Sequence, residues 1–425
     1  MLKPTLVLIA PVSSVAGYGV HSRMIARALV KLDKWDLKII PTKWGNTPTN
    51  VKTPEIEPFI VQQFEGQPDI SIQITIPSEF QKIGKKSIGI TALTEANLCP
   101  PAFLEGSNKV DLVIVPSNFT KDVLTQTRIE KRDNRTNQIM ETLQFQKPLE
   151  VLFEGLDLEV YNKESVQKGS DIYKQLNSVK EDFCYLFVGH WLEGKLGHDR
   201  KDVGMLVKTF IDTFKHKGLN KRPALILKTS GAGFSHMEKD RILDKLDQIY
   251  KMVKDEGFNG KLPSIYLLNG DLDGGEMNTL YNHPKVKAMV NFSHGEGYNL
   301  SLSEFAATGK PIIASNYSGH LDFLNPEFCV LLPGQLIQID GSAANEWIPK
   351  EGKWFAVNYQ YASQVLSHVF ENYEKHLEKS RKLPKYIRDN FSLEKMTERL
   401  GEIMEKHTAD MPKQMTLKLP TLKKY

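Results

Sequence analysis

The stretch Gly295-Glu296-Gly297-Tyr298-Asn299-Leu300-Ser301-Leu302-Ser303-Glu304-Phe305-Ala306-Ala307-Thr308-Gly309-Lys310-Pro311 decides how this chain is read. It sets two glutamates eight positions apart, with a glycine on either side of the first. Small and apolar residues then run to Gly309-Lys310-Pro311, a stop that leads into the next strand. The pattern predicts a loop opening onto a helix. Such a junction exposes unpaired backbone N–H groups and the positive end of the helix dipole, which suits an anion such as a diphosphate. Glu296 falls in the loop, and Glu304 lies about two turns farther along. An exposed helix with solvated glutamates would show the same spacing, so the flanking sequence has to discriminate.

Outward from this stretch, short apolar runs alternate with helical patterns, which predicts parallel sheets with crossover helices. In the first half the runs are Leu6–Ala10, Leu37–Ile40, Ile70–Ile76, Ser87–Thr91, Val110–Val115 and Leu149–Phe153. Val20, Met24, Ala28 and Leu29 share one helical face between the first two. A second series comprises Cys184–Val188, Ala224–Lys228, Ser264–Leu268, Val286–Asn291, Pro311–Ala314 and Phe328–Leu332. Two such series predict an α/β protein of two Rossmann-like doubly wound domains facing a central cleft. The expected domains are residues 1–160, residues 161–390, and a C-terminal helix and tail over 391–425. Thr127–Gln146 is polar and expected as a solvated excursion; Tyr361–Lys379 and Ser392–His407 are expected as helices.

Composition sets the outer limits. A chain of 425 residues is too long for one ordinary core. A net charge of +4 with 25% charged residues is too weak to argue for nucleic acid. Cys99, Cys184 and Cys329 are scattered and lack metal-ligand spacing, as expected of reduced thiols in a cytoplasmic protein. The apolar start, Leu6–Ala10, is short and followed by Pro11, so it is expected as a first core strand and not a secretion signal.

Two further clusters carry chemistry. After Cys184–Val188 come Gly189-His190-Trp191 and then Asp199-Arg200-Lys201-Asp202, just before an amphipathic helix. Fixed cations there would stabilise a departing diphosphate more than a bound one, because its charge grows as the bond breaks. After Ser264–Leu268 comes Asn269-Gly270-Asp271-Leu272-Asp273. Asp271 and Asp273 form a D-x-D pair, a spacing that could hold a divalent metal.

Taken together, these motifs resemble the retaining glycosyltransferases of the GT-B group, and within it family 4, over most of the chain and most closely over 184–324. The resemblance implies transfer of a sugar from a nucleoside diphosphate-sugar to a hydroxyl acceptor with retention, without metal or other cofactor. It implies that Glu296 lies by the donor sugar and that Glu304 accepts from the ribose hydroxyls, since a carboxylate can take two vicinal hydroxyls. Arg200 and Lys201 would grip the diphosphate; the amides of Gly297, Tyr298, Asn299 and Leu300 would meet the phosphates. The loop at Leu272 would lie beside the base. His190 stands where the family usually has arginine, Asp202 where it has glycine, and Tyr298–Asn299 where it has an aromatic–glycine pair.

In the first domain the resemblance brings Gly17 and Gly19, after the first strand, close to the donor and acceptor. The segment Thr91-Ala92-Leu93-Thr94-Glu95 lacks the histidine many relatives carry, and Glu95 matches the form some relatives use instead. Glu95 is expected to receive the acceptor's proton or to position its hydroxyl. Ser117 is placed to cap the next helix. The alternatives are a sugar-nucleotide 2-epimerase of the same fold and a non-catalytic nucleotide- or glycan-binding relative. The lysine-bearing tail after Ala409 leaves contact with anionic lipid open.

Overall fold

A computed structural model describes residues 3–133, 135–218, 221–231 and 237–409. The lysines of the tail lie outside these residues. The first half forms β1 (Thr5–Ala10), β2 (Asp36–Pro41), β3 (Ile70–Ile74), β4 (Lys86–Ile90), β5 (Leu112–Val115), a hairpin of β6 (Ile129–Arg132) and β7 (Ile139–Leu143), and β8 (Leu149–Val151). The second half forms β9 (Cys184–Val188), β10 (Ala224–Lys228), β11 (Ile265–Leu268), β12 (Val286–Asn291), β13 (Ile312–Ser315), β14 (Val330–Leu332), and a hairpin of β15 (Gly334–Gln338) and β16 (Lys353–Val357). The first domain carries helices α1 (Gly17–Leu32), α2 (Pro101–Ser107) and α3 (Asn118–Gln126). The second carries α4 (Asp171–Ser178), α5 (Val203–Phe214), α6 (Glu238–Asp255), α7 (Gly274–Asn282) and α8 (Leu300–Ala306). Four more follow: α9 (Tyr359–Glu371), α10 (Tyr373–Ser380), α11 (Leu383–Phe391) and α12 (Leu393–Thr408).

Both main sheets are six-stranded, and every neighbouring pair in them is parallel. The orders are β2-β1-β3-β4-β5-β8 and β11-β10-β9-β12-β13-β14. Strands buried on both faces must be apolar almost throughout, which is why the runs read from the sequence were continuous. In each sheet the order reverses next to the first strand: between β1 and β3, and between β9 and β12. The crossovers leave in opposite directions there, so the loops at the strand ends part and leave a crevice.

The end of the chain joins the first core. Met396, Leu400, Ile403 and Met404 of α12 are buried with Met24, Ala28 and Leu29 of α1. Each such apolar side chain contributes about 1.5–3 kcal/mol when fully buried. The route back runs beside the interdomain linker, where Leu156 N–H donates to Phe391 O (2.9 Å) and Leu393 N–H to Leu156 O (2.8 Å). A Cβ on Gly155 would come within 2.7 Å of Leu393 Cα, so the crossing needs glycine.

Three features differ from the sequence reading. Thr127–Gln146 contains the β6–β7 hairpin, whose residues other than Leu143 are largely exposed and give no apolar alternation to read. The stretch expected as one helix breaks at Asn372 (φ −122°, ψ 37°) into α9 and α10. Helix α11 was hidden by Pro384, which sits in the first turn, where its missing N–H costs nothing. Among the described residues no helix is long and apolar enough to cross a membrane. All three cysteines are free thiols.

The Gly309-Lys310-Pro311 stop has a physical cause. Gly309 takes φ 68°, the left-handed turn that ends α8. Lys310 then reaches under the domain, and its Nζ donates to the carbonyls of Tyr281 (2.7 Å), His283 (2.9 Å) and Val286 (2.7 Å). These carbonyls lie at the C-terminal end of α7 and the start of β12, where the protonated amine also meets the negative end of the helix dipole; burial, with Lys287 and Lys163 nearby, lowers it to about 7.

Candidate functional site

The crevice of the second sheet opens between the loops after β9 and β12, and two ion pairs, partly shielded from solvent, lie in it. Lys201, just before α5, pairs with Glu296, which is 4% exposed. Beside it Arg200 pairs with Glu95, which arrives from the first domain on the loop after β4. The four charges therefore form one cluster bridging the domains. Burial pushes the Glu296 carboxyl up, but Lys201 and Arg200 outweigh it and hold the group below the ordinary carboxylate range. Burial pulls the Lys201 ammonium down, and Glu296 recovers only part of the loss.

The loop that carries Glu296 is set by its neighbours. Asn299 adopts φ 84° and caps α8, accepting from Leu302 N–H (3.2 Å). Its amide Nδ2 also donates to Glu296 Oε1 (3.0 Å). Left-handed backbone favours glycine, and among residues with a side chain asparagine is one of the few that tolerates it. Asp202 is the parallel case at φ 52°, just before α5. It is fully buried and accepts from Tyr359 Oη (2.7 Å); burial beside Asp199 raises its carboxyl well above the ordinary range. Gly297, Tyr298 and Asn299 are buried, and their backbone N–H groups donate to no described residue. Because α8 spans only seven residues, its dipole is short, and the fixed cations supply most of the positive field.

The first domain presses on this loop. Cβ atoms added to Gly295 and Gly297 would overlap the backbone oxygens of Glu95 and Ala92. Ser117 Oγ donates to Gly297 O (2.6 Å) and also caps α3. Leu93, two residues before Glu95, is held at φ 61°, which costs about 1–2 kcal/mol for a residue with a Cβ. Strain of this kind persists only where surrounding contacts impose it.

The second glutamate faces a different environment. Glu304 accepts from Tyr281 Oη (2.7 Å), with Tyr161 of the interdomain linker beside it. Burial pushes its carboxyl up to about 7, and the two tyrosines offset only part of that. The folded protein thus holds a proton that the unfolded chain releases near the ordinary value of 4.5. This group's stabilising contribution is full below that value and is lost as pH rises through about 7. Gly274, the first residue of α7, lies beside Tyr161, and Leu272 precedes it in the loop after β11.

The remaining residues singled out by sequence separate by environment. His190 hydrogen-bonds Ser230 Oγ (3.0 Å), and burial with Arg200, Lys201 and Lys228 nearby lowers it to about 4. It is neutral near pH 7 and brings no positive charge to the crevice. Gly19 packs against the backbone of Ser14 and Pro11, whereas Gly17 faces open space. Tyr298 is buried against Phe323 (centroids 4.9 Å apart), with Leu300 at the edge of the same core. Asp273 caps α7, accepting from Glu276 N–H (2.8 Å), which turns it into the helix. Among the described residues no group of three or more His, Cys, Asp or Glu is placed to hold a metal. Sequence reasoning missed Tyr161 and Tyr281, because nothing local marks a tyrosine whose carboxylate partner lies on another helix.

Known structures share this architecture over nearly the full length. The chain is similar to sucrose-phosphate synthase from Thermosynechococcus elongatus, with TM-score 0.64 and 13% identity, covering 96% of this chain and 100% of that one. A glycosyltransferase from Rickettsia africae matches with TM-score 0.60 and 13% identity, covering 96% and 99%. The fold is GT-B. HepE of Anabaena, solved in complex with UDP-glucose, matches this GT-B chain with TM-score 0.57 and 12% identity, covering 95% and 100%. No family model matches the chain, and no curated protein does. In GT-B terms the charged cluster sits at the crevice of the second Rossmann-like sheet, against a loop of the first.

Proposed function

We propose that this chain is a glycosyltransferase that moves a sugar from a nucleoside diphosphate-sugar to a hydroxyl acceptor, with retention and without a metal. The observation that carries the reading is the cluster Arg200–Glu95 and Lys201–Glu296 at the interdomain crevice. Two partly shielded cations beside the buried residues Gly297, Tyr298 and Asn299, whose backbone N–H groups donate to no described residue, suit a diphosphate. They strengthen as the leaving group gains charge, which lowers the barrier more than it tightens binding. Glu296, held ionised by Lys201 and oriented by Asn299, meets the donor sugar. When the diphosphate takes Arg200, Glu95 is freed to face the acceptor hydroxyl. A departing diphosphate on the acceptor's side accepts its proton. Glu304 takes the ribose hydroxyls, and Tyr161 and Tyr281 set its direction.

The complex of HepE with UDP-glucose makes uridine donors the first to test. A thermal-shift panel of nucleoside diphosphates and their sugars should single out one base and one sugar, since stabilisation follows affinity. That donor should then be consumed in EDTA, with an acceptor-linked product. Strict dependence on a divalent ion would overturn the metal-free reading, and isomerised donor formed without acceptor would make the chain an epimerase.

The same assignment predicts a proton linkage. Ribose hydroxyls donating to Glu304 favour its carboxylate, so nucleoside diphosphate binding at pH 6.5–7 should release protons from a group near 7. Calorimetry in buffers of different ionisation heat reads this directly. An unchanged release in Glu304→Gln would remove Glu304 from the site.

A further inference from the structure

Three sides of the cleft around Glu95 differ in what covers them. On one, backbone meets backbone: a Cβ on Gly295 would overlap Glu95 O, and one on Gly319 would overlap Gly297 O. On a second, the excursion between β15 and β16 reaches the first domain. Thr94 Oγ1 donates to Trp347 O (3.4 Å), Asn97 N–H to Lys353 O (2.9 Å), and Lys353 N–H to Asn97 Oδ1 (2.7 Å). The third side is open. Gly17 is exposed, and no atom lies within 4 Å of where its Cβ would be.

Beside that opening stands an aromatic pair. The ring of Tyr18 stacks on Trp44 with centroids 3.9 Å apart and planes 14° apart. Tyr18 Oη lies 3.1 Å from Thr91 Oγ1 and accepts from Ala92 N–H (3.0 Å), so the stack is tied to the loop that carries Glu95. Trp44 belongs to the loop after β2. Thr47 braces that loop by donating to Trp44 O through both N–H (3.1 Å) and hydroxyl (2.7 Å). Val15 N–H joins it to Pro48 O (3.2 Å). Tyr18 and Trp44 are both half-buried residues, and the Trp44 indole N–H donates to no described residue.

We propose that the Tyr18–Trp44 stack, with the open space at Gly17, is the acceptor subsite, and that its occupant is a carbohydrate lying with one ring face on the aromatic pair. The proposal rests on the glycosyl-transfer reading above. An indole face is apolar and rigid, so it binds the C–H face of a sugar ring at little entropic cost. Around Trp44 the loop offers Thr42, Asn46, Thr49 and Asn50, all at least partly exposed. Their hydroxyls and amides match sugar hydroxyls, whereas an alkyl chain laid over them would desolvate polar groups without pairing them. The position of the stack beside the Glu95 loop directs a ring hydroxyl toward the reacting centre.

The test uses the full chain on an array of immobilised neutral mono- to tetrasaccharides in the presence of UDP, with the UDP-induced thermal shift read in parallel. Wild type should retain a defined subset of glycans. Trp44→Ala should reduce that retention at least tenfold and Trp44→Phe should keep most of it, while the UDP shift is the same in all three. The subsite is overturned if wild type retains no glycan or if Trp44→Ala retains the same set equally. Trp44-dependent binding to phosphatidylglycerol vesicles or to a peptide array instead of glycans overturns it too. Trp44-dependent glycan retention without any UDP shift would support a carbohydrate subsite here while removing the uridine-donor reading, so the two failures are distinguishable.

Discussion

Lys201→Ala should lower kcat by about 100- to 1,000-fold, the loss typical when one fixed donor to a developing charge is removed from a dry site. Lys201 keeps only 11% of its side chain exposed and is held against Glu296 in the crevice, so a solvent cation is a poor substitute for it. The variant also leaves Glu296 buried without its partner, and breaking such a pair costs about 3–5 kcal/mol. Activity and stability must therefore be separated. The double variant Lys201→Met with Glu296→Gln removes both charges and should recover most of the lost stability while remaining inactive. Glu296→Gln alone keeps the acceptor for Asn299 and should also lose most turnover. Near-normal kcat in Lys201→Ala and in Glu296→Gln would sink the assignment.

A second large effect on stability is expected at Lys310, which makes no contact with the Lys201–Glu296 cluster. Lys310→Met keeps the apolar stem and removes the three hydrogen bonds to Tyr281, His283 and Val286 carbonyls. Each carbonyl left buried without a donor costs about 1–3 kcal/mol, and losing a buried charge returns part of that. A net destabilisation of about 3 kcal/mol or more should appear as a lower denaturant midpoint for the second domain. A midpoint unchanged from wild type would mean that water replaces the ammonium. Because α7 leads toward Tyr281 and Glu304, donor affinity should fall with it.

Much of this was legible locally. A parallel strand buried on both faces must be apolar along its length, and each of the twelve strands of the two main sheets coincides closely with a run read from the sequence. The Asp199–Asp202 and Gly295–Glu304 segments were legible for a related reason: a turn between strand and helix demands particular residue types at short spacing. Where the backbone demand can be met in a second way, the pattern blurred. Asn299 and Asp202 hold left-handed positions usually given to glycine, and only their φ values explain the departure. The β6–β7 and β15–β16 hairpins lacked the apolar alternation that would have announced them.

By itself, then, the sequence determined two parallel α/β domains and the residues at the ends of their strands. Those follow from burial and turn geometry acting over a few residues. The tertiary structure alone decided who faces whom: Glu95 against Arg200 across the domain boundary, Tyr161 and Tyr281 around Glu304, Lys310 under α7, and Trp44 on Tyr18. Such pairings depend on how two sheets and a returning helix pack, and no short-range rule of spacing encodes them. The same holds for charge. In sequence His190 stands where the resemblance implies an arginine, and burial beside Arg200 and Lys201 keeps it neutral. Its chemistry is set by the field of its neighbours, which exists only once the chain has folded.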